Sequence, residues 1–379
     1  MHPTGPTAQR FPLVPRTRPA CLSLNARVGR LTELADTAAR QNDAGLASTV
    51  LNQAALLASD LDLPADARAL CHRHATLHLT RGPLTATSAI RGLEPLVNLA
   101  RLHLRAGRHR HGRQLLLDLY RAVTTATETT LDGITVPARL TTTDQQRTEV
   151  RQWLWRVVLA DGTRALTAAG RWHDALRHIQ EHRGIGRRLL DGRQTAVLAA
   201  ATTGDHPAAL ALLHDTEPSA PWENAVTAAL TALCRPGDHR AAEHAADLWT
   251  ALDLGNGLAV FTTRLALTVL DATAPDSPAA RNLARAAADR TDESGDGYAL
   301  RDLLAHPAVH SALAPGRTTT LERALTAHAL ASGTMPAIIR KRLDAAVDSA
   351  AVVLEHAPFD PGAPSGDPLE RRLSLARSH

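Results

Sequence analysis

Gly170-Arg-Trp-His-Asp-Ala175-Leu, Gly204-Asp-His-Pro-Ala-Ala209-Leu and Gly237-Asp-His-Arg-Ala-Ala242-Glu share one pattern, and it decides the fold. Each carries a glycine, an aromatic residue or histidine two places on, and an alanine five places on. The glycines stand 34 and then 33 residues apart (204 − 170 and 237 − 204). Gly107-Arg-His-Arg-His-Gly112 is a weaker copy, and Asn42-Asp-Ala-Gly-Leu-Ala47 keeps the Asn-to-Ala spacing. Glycine or asparagine enters the left-handed conformation that ends one helix and turns the chain back. The small residue five places later then falls where two antiparallel helices cross closely.

Outward from these turns, apolar residues recur at helical spacing between short Gly, Pro, Asp or Asn breaks. The pattern predicts helices near 23–40, 45–59, 64–80, 84–92, 95–106, 110–127, 146–168 and 172–183. Further helices are predicted near 188–203, 206–215, 220–234, 239–252, 257–272, 277–290, 318–331 and 336–355. Pro64 and Pro95 read as first-turn prolines. Composition agrees: Ala, Leu and Arg dominate and aromatics are 3%, so the fold class is all-α. Residues 128–145 break the rhythm, and Asp132-Gly133 beside β-branched residues predicts a small hairpin or ordered loop. Residues 1–20, with Pro3, Pro6, Pro12, Pro15 and Pro19, and the Pro-rich 357–379 are expected to be disordered. That leaves 21–356 as one helical domain.

The turn pattern resembles the tetratricopeptide repeat, a unit of about 34 residues with Gly-Asp-x-x-x-Ala between its two helices. The likeness is specific over 150–252 and looser over 28–127. The family's small residue in the first helix falls on Thr163, Val197 and Leu230, and its closing proline is met at Pro221. The resemblance implies a right-handed α-solenoid of antiparallel helix pairs. First helices would line a concave groove, with extended peptides or partner helices as ligands.

Charge and cysteine usage exclude several classes. Lys341 is the only lysine, and 42 basic residues interleave with 38 acidic ones for a net charge of +4. That balance argues against a dedicated nucleic-acid binder, and the arginine skew reads as the coding bias of a high-GC bacterium. Cys21, Cys71 and Cys234 form no CxxC, so neither a disulfide framework nor a sulfur-rich zinc module is indicated and a cytoplasmic protein is expected. No run of about 18 uncharged apolar residues exists to span a membrane. No apolar stretch near the N-terminus reads as a signal peptide.

Trp155, Arg156, Asp161 and Arg164 follow the 128–145 segment, and Arg187, Arg193, Trp222, Glu223 and Asn224 follow on later helices. Arg and Trp most often anchor recognition surfaces, so these nine residues are expected to line the partner groove. Trp153 and Trp155 stand about 200° apart on a helix, so both cannot enter one core. Cys71, His74 and His78 fall at i, i+3 and i+7, one helical face, which is a candidate Zn²⁺ site; 19 histidines make such spacings common by chance. Arg105, Arg108, His109, Arg110, His111 and Arg113 are a candidate phosphate contact, though no aromatics are interleaved for base stacking. The bend at Gly184-Ile-Gly186 with Arg187 and Arg188 offers anion contacts but lacks the lysine and preceding strand of a phosphate loop. No GxSxG, HRD or GxGxxG motif occurs.

The expectation is a non-enzymatic protein- or peptide-binding scaffold, regulatory or accessory, without a cofactor; a homodimer is compatible with it. The alternative is an enzyme or enzyme subunit modifying a peptide or small metabolite, with Arg156, Asp161, Arg164 and Arg193 lining its pocket. A second alternative is an RNA-binding helical repeat.

Overall fold

The computed structural model describes residues 1–182, 184–255 and 257–357, and its regular elements there are all helices apart from one small hairpin. The elements begin with α1 (Pro6–Gln9), α2 (Leu24–Gln41), α3 (Ala44–Asp60), α4 (Pro64–Leu79), α5 (Ala86–Arg105) and α6 (His109–Thr125). The hairpin follows, β1 (Thr129–Leu131) and β2 (Ile134–Val136), and then α7 (Asp144–Ala168), α8 (Trp172–Glu181) and α9 (Asp191–Thr202). Next come α10 (His206–His214), α11 (Pro221–Cys234), α12 (His239–Ala251), α13 (Ala259–Ala272) and α14 (Pro278–Ser294). The last are α15 (Gly297–Leu304), α16 (Pro307–Ala312), α17 (Pro315–His328) and α18 (Ala337–His356). None of these helices is long and apolar enough to cross a membrane.

The repeated turns adopt the backbone that the sequence predicts. Asn42, Gly107, Gly170, Gly204 and Gly237 have φ of 50°, 73°, 71°, 84° and 86°. Behind four of them the next N–H reaches back five residues: Asp43 to Ala38, Arg108 to His103 and Arg171 to Leu166 at 2.9 Å, and Asp205 to Ala200 at 3.1 Å. That bond satisfies a carbonyl left open by the ending helix. Asp43, Asp205 and Asp238 then cap the following helix, each accepting from a first-turn N–H. The small residues at the fifth place, Ala47, Ala175, Ala209 and Ala242, are all buried. A Cβ at Gly112 would lie 2.7 Å from the Ala100 carbonyl oxygen, so that crossing admits only glycine.

The chain divides into two compact units. One comprises Met1–Arg27 with Leu166–Leu330, the other Val28–Ala165 with the chain from Ala331 onward. In the second unit, α3 to α6 pack neighbour on neighbour and α18 lies along α3. The hairpin packs against α4 and α6, burying Leu131, Ile134 and Val136. Its turn has φ of 50° at Asp132 and 83° at Gly133, the left-handed pair a two-residue hairpin requires. Arg68 of α4 grips Asp132 with both terminal nitrogens, at 2.9 and 2.6 Å.

In the first unit one apolar core runs from Trp172 and Leu189 through Leu230, Trp249 and Leu265 to Leu303 and Leu321. Helix α9 is buried on every face from Gly192 to Ala199. A helix buried on every face must be covered on all sides and its buried polar side chains, Arg193, Gln194 and Thr195, must find partners, so α8 and α10 alone do not suffice.

Three expectations are corrected. Pro95 does not start a helix; α5 runs through it, because Leu93, Leu96, Val97 and Leu99 are buried around it and packing outweighs the missing N–H. Helices α15 and α16 lie where the periodicity predicts none. Residues 1–20 are not disordered but packed into the first unit, since Ala8, Phe11 and Leu13 belong to its core. The expected C-terminal tail beyond Ala357 lies outside the described residues.

Candidate functional site

The first unit holds residues 3–21 as a strap that begins with the single turn of α1 and continues without regular structure from Phe11. Its centre is Arg10-Phe11-Pro12-Leu13, with Phe11 4% and Leu13 3% exposed. The Leu13 N–H donates to Gln194 Oε1 at 2.6 Å, and Gln194 Nε2 donates to the Leu13 carbonyl at 2.7 Å and the Leu189 carbonyl at 2.9 Å. Gln194 is fully buried on α9, so these bonds form without competition from water. The strap supplies the missing cover for α9.

Further contacts fix the register on either side. Trp172 Nε1 donates to the Pro3 carbonyl at 2.8 Å, and Gln9 Nε2 donates to the Thr167 carbonyl at 3.2 Å. Arg16 contacts both Asp191 oxygens at 2.8 Å. The Arg18 guanidinium lies 4.4 Å from the centre of the Tyr298 ring, and Asp296 accepts from the Cys21 N–H at 3.1 Å.

Beside the strap lies a half-open cleft of about 740 Å³, walled by Gln9, Arg10, Leu267, Leu270, Asp271 and His306 among others. Its volume is in the range of peptide and small-molecule sites. Asp271 accepts from Thr7 Oγ1 at 2.6 Å, from Arg10, and from His306 Nε2 at 3.0 Å. Burial opposes ionisation of Asp271, but the His306 hydrogen bond, the Arg10 charge and the Thr7 hydroxyl outweigh it and hold the carboxyl below its ordinary range. Asp302 is held down in the same way: burial opposes ionisation, and Arg264 and Arg301 overcome it. His306 Nδ1 is buried with no hydrogen-bond partner, so that nitrogen is closed off from the cleft.

The nine predicted groove residues divide between the units. Trp155, Arg156, Asp161 and Arg164 lie in the second, where Trp155 is 36% exposed and Arg156 is exposed. Asp161 is buried and takes Arg101 at 2.8 Å and Arg164 at 3.8 Å, so it is spent on an internal pair. Arg187, Arg193, Trp222, Glu223 and Asn224 lie in the first unit. Two of these do not face a groove. Arg193 is buried and donates to the Leu212 carbonyl at 2.8 Å and to Asp215 at 3.0 Å. Glu223 is wholly buried and accepts from Arg188, from the Leu189 N–H at 3.0 Å and from Ser219 at 3.1 Å. Burial alone would raise its pKa, and those donors hold it low. Trp222 is half-buried edge-on to Phe261 at 6.0 Å, Arg187 pairs with Asp215 and Glu217, and Asn224 is exposed.

Cys71, His74 and His78 are not gathered as metal ligands. Both imidazoles converge on buried Ser48, at 2.7 Å from His74 and 3.3 Å from His78. Burial, with neighbouring positive charge, lowers His74 to about 3 and His78 to about 4, and burial raises Cys71 to about 12. Among the described residues the one group whose ligand atoms lie within 4.8 Å of one another is His178, Glu181 and His182. In the basic run, Arg105 contacts Asp60 at 3.1 Å and Arg108 donates to His103 Nδ1 at 2.9 Å, so two of its arginines serve internal contacts.

Sequence reasoning missed Gln194, Asp271, His306 and the strap. The signal for the strap was present: Phe11 and Leu13 alternate with prolines, a pattern suited to an extended segment lying on an apolar surface. No protein-family model, curated protein or solved structure matches the chain.

Proposed function

We propose that the chain is a non-enzymatic peptide- or protein-binding helical module acting as a regulatory or accessory scaffold. In this reading its helix pairs are degenerate tetratricopeptide-like repeats of a right-handed α-solenoid. The ligand is a non-helical segment with apolar anchors two residues apart, of the kind that Phe11-Pro12-Leu13 presents within this same chain. The observation that carries it is the double hydrogen bond of Gln194 to Leu13, because a side chain that pairs with both backbone groups of one residue reads the main chain independently of its sequence. Phe11 and Leu13, sunk in the core, add the specificity.

Other observations weigh against the enzyme alternative. Burial raises Cys71 to about 12 and Cys234 to about 11, far from a reactive thiolate. His306, oriented by Asp271 as a general base is oriented, has its second nitrogen sealed away.

The test is a titration of the Phe11→Asp, Leu13→Asp double variant, which releases its own strap, with a fluorescein-labelled peptide of residues 1–20. The expected result is saturable binding of this peptide and none of a scrambled one, with the helical circular dichroism intact. Equal binding of both peptides, or of neither, overturns the reading.

A further inference from the structure

We propose that His178, Glu181 and His182 form a binding site for a divalent transition metal, Zn²⁺ by ligand chemistry, at the C-terminal end of α8. The spacing His-x-x-Glu-His puts the three side chains at i, i+3 and i+4, one face of a helix. One ligand atom from each lies within 4.8 Å of the other two, and the imidazole centres are 4.5 Å apart. Small side-chain rotations bring such atoms to the contacts of about 2.0–2.2 Å that zinc makes with nitrogen and oxygen.

The surroundings favour an ion there. His182 Nδ1 lies 2.8 Å from the His178 carbonyl, and since a carbonyl only accepts, Nδ1 carries the proton. Nε2 of His182 is thereby left with its lone pair, the tautomer in which a histidine ligates a metal while its other nitrogen is held by a carbonyl. His178 is 2% exposed and therefore fixed by packing, whereas Glu181 is exposed and His182 intermediate, so the site opens to solvent on one side. The ending helix directs carbonyl dipoles at this point, which favours a cation. Two imidazoles with one carboxylate suit Zn²⁺ better than Ca²⁺ or Mg²⁺, which prefer all-oxygen shells. Three protein ligands leave one tetrahedral position for water or for a ligand group from outside. The site is independent of the strap reading, since none of its three residues contributes a hydrogen bond to residues 3–21 described above.

The test uses the full chain, stripped with chelator and titrated with Co²⁺ by visible absorption and with Zn²⁺ by calorimetry. The expected result is one ion per chain with the intense d–d bands of a four-coordinate site. His182→Ala and Glu181→Gln each weaken binding at least tenfold, while His214→Ala, a histidine on another helix, leaves it unchanged. Glu181 is exposed, so its variant keeps the fold, which circular dichroism in chelator verifies. Absence of stoichiometric binding, or affinity unchanged in both ligand variants, overturns the proposal.

Discussion

Leu13 and Gln194, 181 positions apart, exchange a pair of hydrogen bonds in which a buried carboxamide meets both polar backbone groups of one residue. A neighbouring β-strand would satisfy an extended chain in the same way; here a helix does it with a side chain. Gln194→Ala therefore leaves the Leu13 N–H and carbonyl and the Leu189 carbonyl buried without a partner. At about 1–3 kcal/mol for each such group, with partial relaxation, urea unfolding is expected to show a loss of about 2–4 kcal/mol. Limited trypsin digestion is expected to cut at Arg10 in the variant and to spare the parent.

The two classes of tryptophan separate in the same assay. Trp172 is 1% exposed, packs in the core and donates to Pro3, so Trp172→Ala is expected to cost about 3–5 kcal/mol. Trp155 is 36% exposed, and Trp155→Ala is expected to stay within about 1 kcal/mol.

Two glycines of the repeated pattern fail for different reasons. Gly204 has φ of 84° with open space around it, so Gly204→Ala costs only backbone strain, about 1–2 kcal/mol. Gly112 sits inside α6 where an added Cβ meets the Ala100 carbonyl at 2.7 Å, backbone that cannot swing aside. Gly112→Ala is expected to lower the melting temperature more than Gly204→Ala does, although alanine is the better helix former.

The His74–Ser48–His78 cluster makes stability depend on pH. Both histidines are kept neutral in the fold, principally by burial, with values near 3 and 4, while in the unfolded chain they titrate near 6.5. The unfolded state therefore takes up protons first. Their contribution is complete above about pH 6.5 and is lost as pH falls toward about 4 and then 3. Unfolding free energies measured from pH 7 to 4 should decline, and His78→Gln should flatten that decline. The paired Asp271, with its depressed value, adds a loss only at lower pH, as pH drops below the ordinary carboxylate range and through its own value.

Much of the architecture was legible because it is written locally. The glycine or asparagine at each turn and the small residue five places on encode a left-handed residue and a close crossing, and each appears where the spacing puts it. The Asp132-Gly133 hairpin was equally local. Pro95 was misread because a proline's local cost is visible in sequence while the burial of Leu93, Leu96 and Leu99 that offsets it is not. The strap was misread for the same reason. Proline-rich residues 1–20 lack helical periodicity, and only their pairing with Gln194, Asp191 and Asp271 far along the chain gives them structure. Arg193 and Glu223 looked like groove residues because burial of a charge with its partners cannot be read from spacing.

Hydrogen–deuterium exchange of the Leu13 amide in the full chain tests the central claim most directly. A segment bound as a peptide ligand keeps that amide protected by many orders of magnitude, with protection lost in Gln194→Ala and in the Phe11→Asp, Leu13→Asp variant while the core amides of α9 still exchange slowly. Exchange of Leu13 at the rate of a free peptide in the parent chain would contradict the account.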